Sequence, residues 1–472
     1  MKKRKKIILG SITGALALAL AGGGFWAYKT FVPQETPIDK NATVASNFYQ
    51  AINKDWLLKT KIPADSPSID NFYTLDEDIK GKLKKDIKNL GEGKETSDIT
   101  GMSEFITFYK AASNYKQREK DGLEPIKPYL KEIENIKDLN DLASKSANLT
   151  DKGIPLPFGY NVGTNAENTS QKQIQLSPPS ILLPDVSIYK DEASKKQYLT
   201  PIETATQKAL EMLGYSEKNS KRIVKEALEF DEIIAKYSLS NEEMSESKNL
   251  VHPKAAEEIN DYSGSFKLYD VIKGIMGRDL DTINVPNTKY FENYSKVVNQ
   301  DNFSKIKSWM LVQEAMAASN SLTEDYRLNF QSISMAIMGT QKPISKEDTV
   351  YEMSVNLFSD VMSVYYGRKY FGEEAKTDVT GMIDKIKNVY RGRLQQNDWL
   401  TEDTRNKAIE KLDKMKVFVG YQEDVDPGTK ELHLDPNKSF FELSEDIAQF
   451  GKRYTIDHFD EPIDKNKWSG SA

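Results

Sequence analysis

The sequence predicts a mainly α fold: a multi-helix lobe with a small β-hairpin insertion and short C-terminal strands, preceded by an N-terminal membrane helix. Three observations predict it. Apolar residues recur at helical spacing along most of the chain, as in Leu75, Ile79, Leu83, Ile87 and Leu90 among Asp and Lys. Pro and Gly concentrate between Gly153 and Val186, around two short alternating runs. Lys2 to Lys6 are five consecutive cations, and the 22 residues from Ile7 to Tyr28 carry no charge.

Each element follows in order. A helix over residues 7–28 reaches roughly 33 Å at about 1.5 Å per residue, enough for a hydrocarbon core of about 30 Å. The cations before it predict a cytoplasmic start and an external remainder. Trp26 and Tyr28 suit the far interface. Ala19-Leu20-Ala21 before Gly22 also fits a cleavage site. The segment, residues 1–30, is therefore a type II anchor or a signal peptide cleaved after Ala21, and the uncharged continuation to Tyr28 favours the anchor. The expected location is the cell membrane with an extracellular C-terminal domain, or secretion after cleavage. Residues 31–45, with Pro33 and Pro37, read as a spacer.

Past the spacer, residues 46–421 form one mainly helical region. Phe105, Ile106, Phe108 and Tyr109 extend the helical pattern, and Pro125 and Pro128 interrupt the next segment. Tyr160 to Val162 and Gln173 to Leu176 read as a β-hairpin laid on the helices. Helices resume at 201–213, closed by Gly214, and at 217–237. Further helices are expected at 305–320, 326–338, 348–370 and 379–396. Thr401 caps the most legible helix: Glu402 and Asp403 sit at its positive end, and Lys411, Lys414 and Lys416 at its negative end. Val417 to Tyr421 reads as a short buried strand, and residues 422–472 as a separate C-terminal segment.

Composition removes whole classes of function. Lys and Arg number 65 against 71 Asp and Glu, a formal charge of -6 with no long internal basic tract, so nucleic acid is not a partner. The absence of cysteine excludes disulfides, a thiolate zinc site, a cysteine nucleophile and a lipobox anchor.

Several segments then carry a resemblance. Asn47 to Leu57, N-F-Y-Q-A-I-N-K-D-W-L, resembles the D-F-Y-x-Y-V-N-G-x-W-L opening of the neprilysin-like (M13) zinc metallopeptidases, bacterial endopeptidase O type. Trp399 to Tyr421 is similar to that family's W-M-D-E-E-T-K-x-K-A-x-E-K-L-x-x-M-x-x-x-I-G-Y. Asn161 to Asn165 resembles its V-G-T-D turn, and Tyr366 to Phe371 its L-Y-V-x-x-x-F segment. The matches run in family order over about residues 46–468. The resemblance implies a substrate-chamber lobe of a membrane-anchored, extracellular peptidase acting on oligopeptides.

The family's chemistry needs an H-E-x-x-H helix, in which two His one turn apart hold zinc and the Glu activates water. Here Pro253 follows His252, Leu434 follows His433 and Phe459 follows His458, and no two histidines lie within four residues. The N-A-x-Y substrate clamp is also absent, and Asp464 to Trp468 resembles the D-K-x-x-W stretch preceding it. No catalytic, metal or cofactor residue is therefore assigned in this chain, zinc belonging to the complete family member, and the substrate-binding residues stay open. The chain is expected to be a truncated or split form, inactive alone, with catalysis either supplied by a separately encoded catalytic half as its partner or lost.

Other candidates read as structural. Asp457 to Glu461 is expected to be a solvated loop, and Asp424 to Gly428 a turn, because Pro427 intrudes and an EF-hand would need Gly where Thr429 stands. His252 reads as a surface or capping residue and His433 as a strand-edge one. Glu229, Asp231 and Glu232 read as helix-face carboxylates, and Arg391 and Arg393 as a solvated helix end. Eukaryotic members meet a substrate carboxylate with two arginines where Ser68 and Asp76 stand here, so that preference is not expected. A non-catalytic surface peptide-binding protein and a helical scaffold are the alternative functions. Val417, Phe418, Val419, Tyr421, Phe440, Phe441 and Trp468 are expected to lack neighbours, leaving the chain beyond Tyr421 mobile and sticky.

Overall fold

The structure, a computed structural model, describes residues 38–465 and residue 467. The expected membrane span at residues 7–28, the first part of the spacer and Trp468 lie outside the described residues. Among the described residues no helix is long and apolar enough to cross a membrane. The expected cell-membrane placement is corrected accordingly: no described element supports a single-pass protein.

The α-helices of seven or more residues are numbered in order. They are α1 (Phe48–Lys59), α2 (Asn71–Gly91), α3 (Met102–Ser113), α4 (Tyr115–Asp121), α5 (Lys127–Glu134) and α6 (Leu139–Asp151). After the first two strands come α7 (Glu192–Met212), α8 (Glu217–Tyr237), α9 (Leu268–Met276), α10 (Phe303–Ala317) and α11 (Glu324–Met338). The last are α12 (Lys346–Leu357), α13 (Ser359–Tyr366), α14 (Gly372–Gln395), α15 (Glu402–Lys414) and α16 (Phe440–Asp457). Most begin where a short polar side chain can accept an orphan N–H: Asp70 accepts from Tyr73, Asp138 from Asp141, Ser216 from Asn219 and Thr401 from Thr404. Ser439 and Glu442 close a full capping box on α16.

Two apolar cores organise these helices. The larger takes α5 to α11 and the sheet, around Phe230, Tyr290, Tyr294 and Trp309. The smaller takes Leu83 and Ile87 of α2, Phe105 and Phe108 of α3, Val350 of α12, Val361 of α13 and Phe440 and Leu443 of α16. Helix α16 joins them, since its adjacent Phe440 and Phe441 enter different cores. Arg118 of α4 ties the seam. Its guanidinium donates to the carbonyls of Ala112, Asn320 and Leu322 at 2.6–2.9 Å and lies over the Tyr115 and Phe440 rings.

The expected hairpin is present. Strand β1 (Gly159–Thr164) pairs antiparallel with β2 (Lys172–Ser177), Asn161 opposite Gln175. Two three-residue strands, β3 (Pro253–Ala255) and β4 (Thr282–Asn284), extend it into a four-stranded sheet of order β1-β2-β4-β3, with β4 parallel to β2.

The C-terminal expectations are corrected. Residues 417–421 form no strand; the chain instead folds back over the turn that follows α13. Gly420 has φ +74°, and a Cβ there would stand 2.4 Å from the Phe371 ring. A Cβ on Gly367 would overlap Tyr421, so this turn lies directly under that ring. Val419, Tyr421, Phe440 and Phe441 are buried, and only Phe418 among the described large residues of this set is exposed. Beyond Tyr421, Val425, Leu432, Phe440, Phe441 and Leu443 are buried, because α16 and the cores supply neighbours that the sequence reading assigned to an absent half.

Candidate functional site

The histidines lie on separate elements. The His252 backbone N–H donates to Asn284 Oδ1 beside β3, and His433 is exposed on a loop, not a strand edge. His458 caps the C-terminus of α16, its ring stacked on Tyr454 at 4.0 Å. Among the described residues no three His, Asp or Glu side chains converge to hold a metal, so the residues present do not fit the zinc of the family.

The carboxylate and arginine candidates have structural partners. Asp424 pairs with Lys430, and Asp426 precedes a short helix, Pro427–Glu431, rather than a cation loop. Arg391 grips Asp413 across the α14–α15 hairpin, while Arg393 is exposed. Glu229 and Glu232 meet Lys305 and Lys195 on the helix surface. Asp231, read with them as a helix-face carboxylate, instead points into the fold. It is fully buried and accepts from Tyr189 Oη and the Leu182 N–H. Burial pushes its carboxyl up to about 6 against those bonds. Its position one turn beyond buried Ala227, beside Phe230, was the available signal.

Two more carboxyls interact across the fold, buried Glu314 of α10 and half-buried Glu445 of α16. Glu314 is held up at about 8 by burial and then by Glu445, which burial raises to about 7. Lys452 stands nearby, its ammonium donating to the Thr150 carbonyl at 3.3 Å.

Among the described residues, two surfaces stand out as unoccupied. The first is apolar. Helix α14 has 24 residues and buries none, and Met382, Ile386, Val389 and Tyr390 form an exposed stripe along it. Trp399 and Met415 are exposed at the ends of its hairpin partner α15. On α1, Phe48 and Ile52 repeat the pattern one turn apart.

The second is a cavity of about 600 Å³ beside the sheet. Register divides the sheet into two faces. Ile174, Leu176 and Ile283 face the larger core. Asn161, Gln175 and Asn284 align across β1, β2 and β4 and line the cavity. This carboxamide row escaped the sequence reading, although the alternation of Gln173, Ile174, Gln175 and Leu176 signals a polar face.

With this architecture in view, comparison places the chain. The sequence profile of peptidase family M13 matches residues 44–422, and the chain belongs to that family. It is 32% identical to the neutral endopeptidase of Lactobacillus helveticus over 431 residues, covering 91% of this chain and 66% of that protein. Against the neutral endopeptidase of Lactococcus lactis it is 29% identical, covering 90% and 68%. The fold is similar to the crystal structure of PEPO from Lactobacillus rhamnosis, with TM-score 0.85, 24% identity and coverage of 90% and 68%. It is also similar to the Mycobacterium tuberculosis zinc metalloprotease Zmp1 with inhibitor, with TM-score 0.79, 18% identity and coverage of 92% and 66%. The chain thus spans about two thirds of the length of these relatives.

Proposed function

We propose that these residues form the helical substrate-chamber lobe of an M13 zinc metalloendopeptidase acting on oligopeptides, and that the lobe is inactive by itself. The H-E-x-x-H helix that would hold zinc and activate water is not in this sequence. It would come from further residues of the same polypeptide or from a second one. The observation that carries this reading is the unburied stripe of α14. Each such side chain left in water forgoes roughly 1.5–3 kcal/mol of burial, and contiguous exposed apolar surface marks an interface. The occupant is the zinc-bearing third of the relatives' length that this chain does not span.

Co-expression with the C-terminal third of the Lactobacillus helveticus enzyme tests the reading. The expected result is co-purification, with oligopeptide cleavage that a chelator abolishes, and loss of both in Ile386→Glu. Chelator-sensitive cleavage by this chain alone, free of contaminating protease, would overturn it.

A further inference from the structure

We infer that the cavity beside the sheet is a binding site for an extended, uncharged peptide segment carrying an apolar side chain. The inference stands on the sheet and its surroundings, independently of the α14 interface. The volume of about 600 Å³ lies in the range of ligand sites. Its walls are Pro179, Met244, Leu250 and their neighbours, which suit an aliphatic side chain.

The polar groups decide the chemistry. Among the described residues Asp185 is the only ionisable side chain in the lining, and its two oxygens are taken by the N–H groups of Ser187 and Asn241. A charged ligand would therefore leave water without a counter-charge. The remaining polar side chains are largely carboxamides, which donate and accept together as a peptide bond does. Asn161 makes no side-chain hydrogen bond among the described residues. Gln175 makes only one long bond, to the Thr164 carbonyl at 3.5 Å. Asn287 is 5% exposed, and its Oδ1 accepts from the Leu239 and Tyr290 N–H groups. Its Nδ2 has no partner among the described residues and borders the cavity.

The backbone of β1 favours an extended ligand over a compact one. The positions of β1 on the same face as Asn161 are Gly159 and Gly163. A Cβ at Gly163 would stand 2.5 Å from Gln175 Nε2, and one at Gly159 would stand 2.4 Å from Ser177 Oγ. Without those carbons, Gln175 and Ser177 lie flat across β1 and leave a level polar shelf. A peptide laid along that shelf sets its amides against Asn161 and Gln175 while one side chain enters the apolar pocket.

Fluorescence anisotropy of the full chain with a labelled octapeptide of alternating Thr and Leu, blocked at both ends, tests the site. Saturable binding is expected, weakened at least tenfold by Met244→Trp, which fills the pocket, and by Asn161→Asp, which sets a charge on the shelf. N-methylation of alternate peptide amides, or Glu at the central position, should weaken it equally. Asn161 is exposed, so its variant keeps the fold even if Met244→Trp does not. Ile386→Glu should leave binding unchanged, separating this site from the α14 interface. No binding of the octapeptide, or full affinity retained by Asn161→Asp or by the methylated peptide, would overturn the inference.

Discussion

At the scale of single residues, the buried charged groups make the sharpest predictions. Glu314 ionises near 4.5 in an unfolded chain and near 8 in the folded one. Between those values the unfolded state gains an ionisation that the folded state resists. The contribution of Glu314 to stability is therefore full below about pH 4.5 and is lost as pH rises through about 8. Glu314→Gln should remove this dependence, raising the melting temperature more at pH 9 than at pH 5. A difference of about 2–4 kcal/mol corresponds to roughly 2–4 °C in a chain of this size, which calorimetry at the two pH values measures. Arg118 works in the opposite sense, as a buried cation whose removal strands three carbonyls. Arg118→Ala should cost about 3–5 kcal/mol in urea unfolding. Arg118→Lys should fail to rescue it, since a single ammonium cannot reach carbonyls on two sides of the seam.

At the scale of elements, helices were legible where local signals agreed. Residues 217–237 match α8 to the residue, and Thr401 caps α15 as expected. Helix α7 begins at Glu192, nine residues before the expected Pro201, because Asp191 supplies the cap and the helix accommodates the proline internally. The expected helix at 348–370 breaks at Phe358, whose buried ring meets Phe105 and Phe108. Strands β3 and β4 were missed because three residues show no period. The 417–421 run is as apolar as a strand, yet pairing requires a free edge, and Phe371 with Gly367 offers packing instead. Substitutions should separate the two kinds of surface helix. Phe440→Ala in α16 should cost about 3–5 kcal/mol. Ile386→Glu in α14 should stay within about 0.5 kcal/mol, because that side chain is already 61% exposed. Chemical denaturation of both variants measures the contrast.

At the scale of the whole molecule, the cavity was the least legible feature. It combines residues 161–186 with residues 238–251 and 284–287, and no local pattern announces that meeting. The seat of α16 was equally hidden, since its contacts lie more than 250 residues away in α3 and α6. Hydrogen exchange should protect residues 440–457 as strongly as α8 and α10; free exchange there would detach α16 from both cores.

The order of these segments along the chain bears on synthesis at the ribosome. Apart from Phe441, the larger core is complete once residue 330 has emerged, because its members run consecutively from Ile126. The smaller core takes its pieces from residues 83–112, 350–365 and 425–443. Helices α2 and α3 must therefore wait, with Phe105 and Phe108 uncovered, until some three hundred further residues have been added. At about 5–20 residues per second that interval is roughly 15–60 s, far longer than the microseconds a helix needs to form. Nascent chains halted near residue 400 should thus hold a protease-resistant centre with a cleavable N-terminal arm. Chains halted beyond residue 500 on an added linker should resist cleavage throughout α2 and α3.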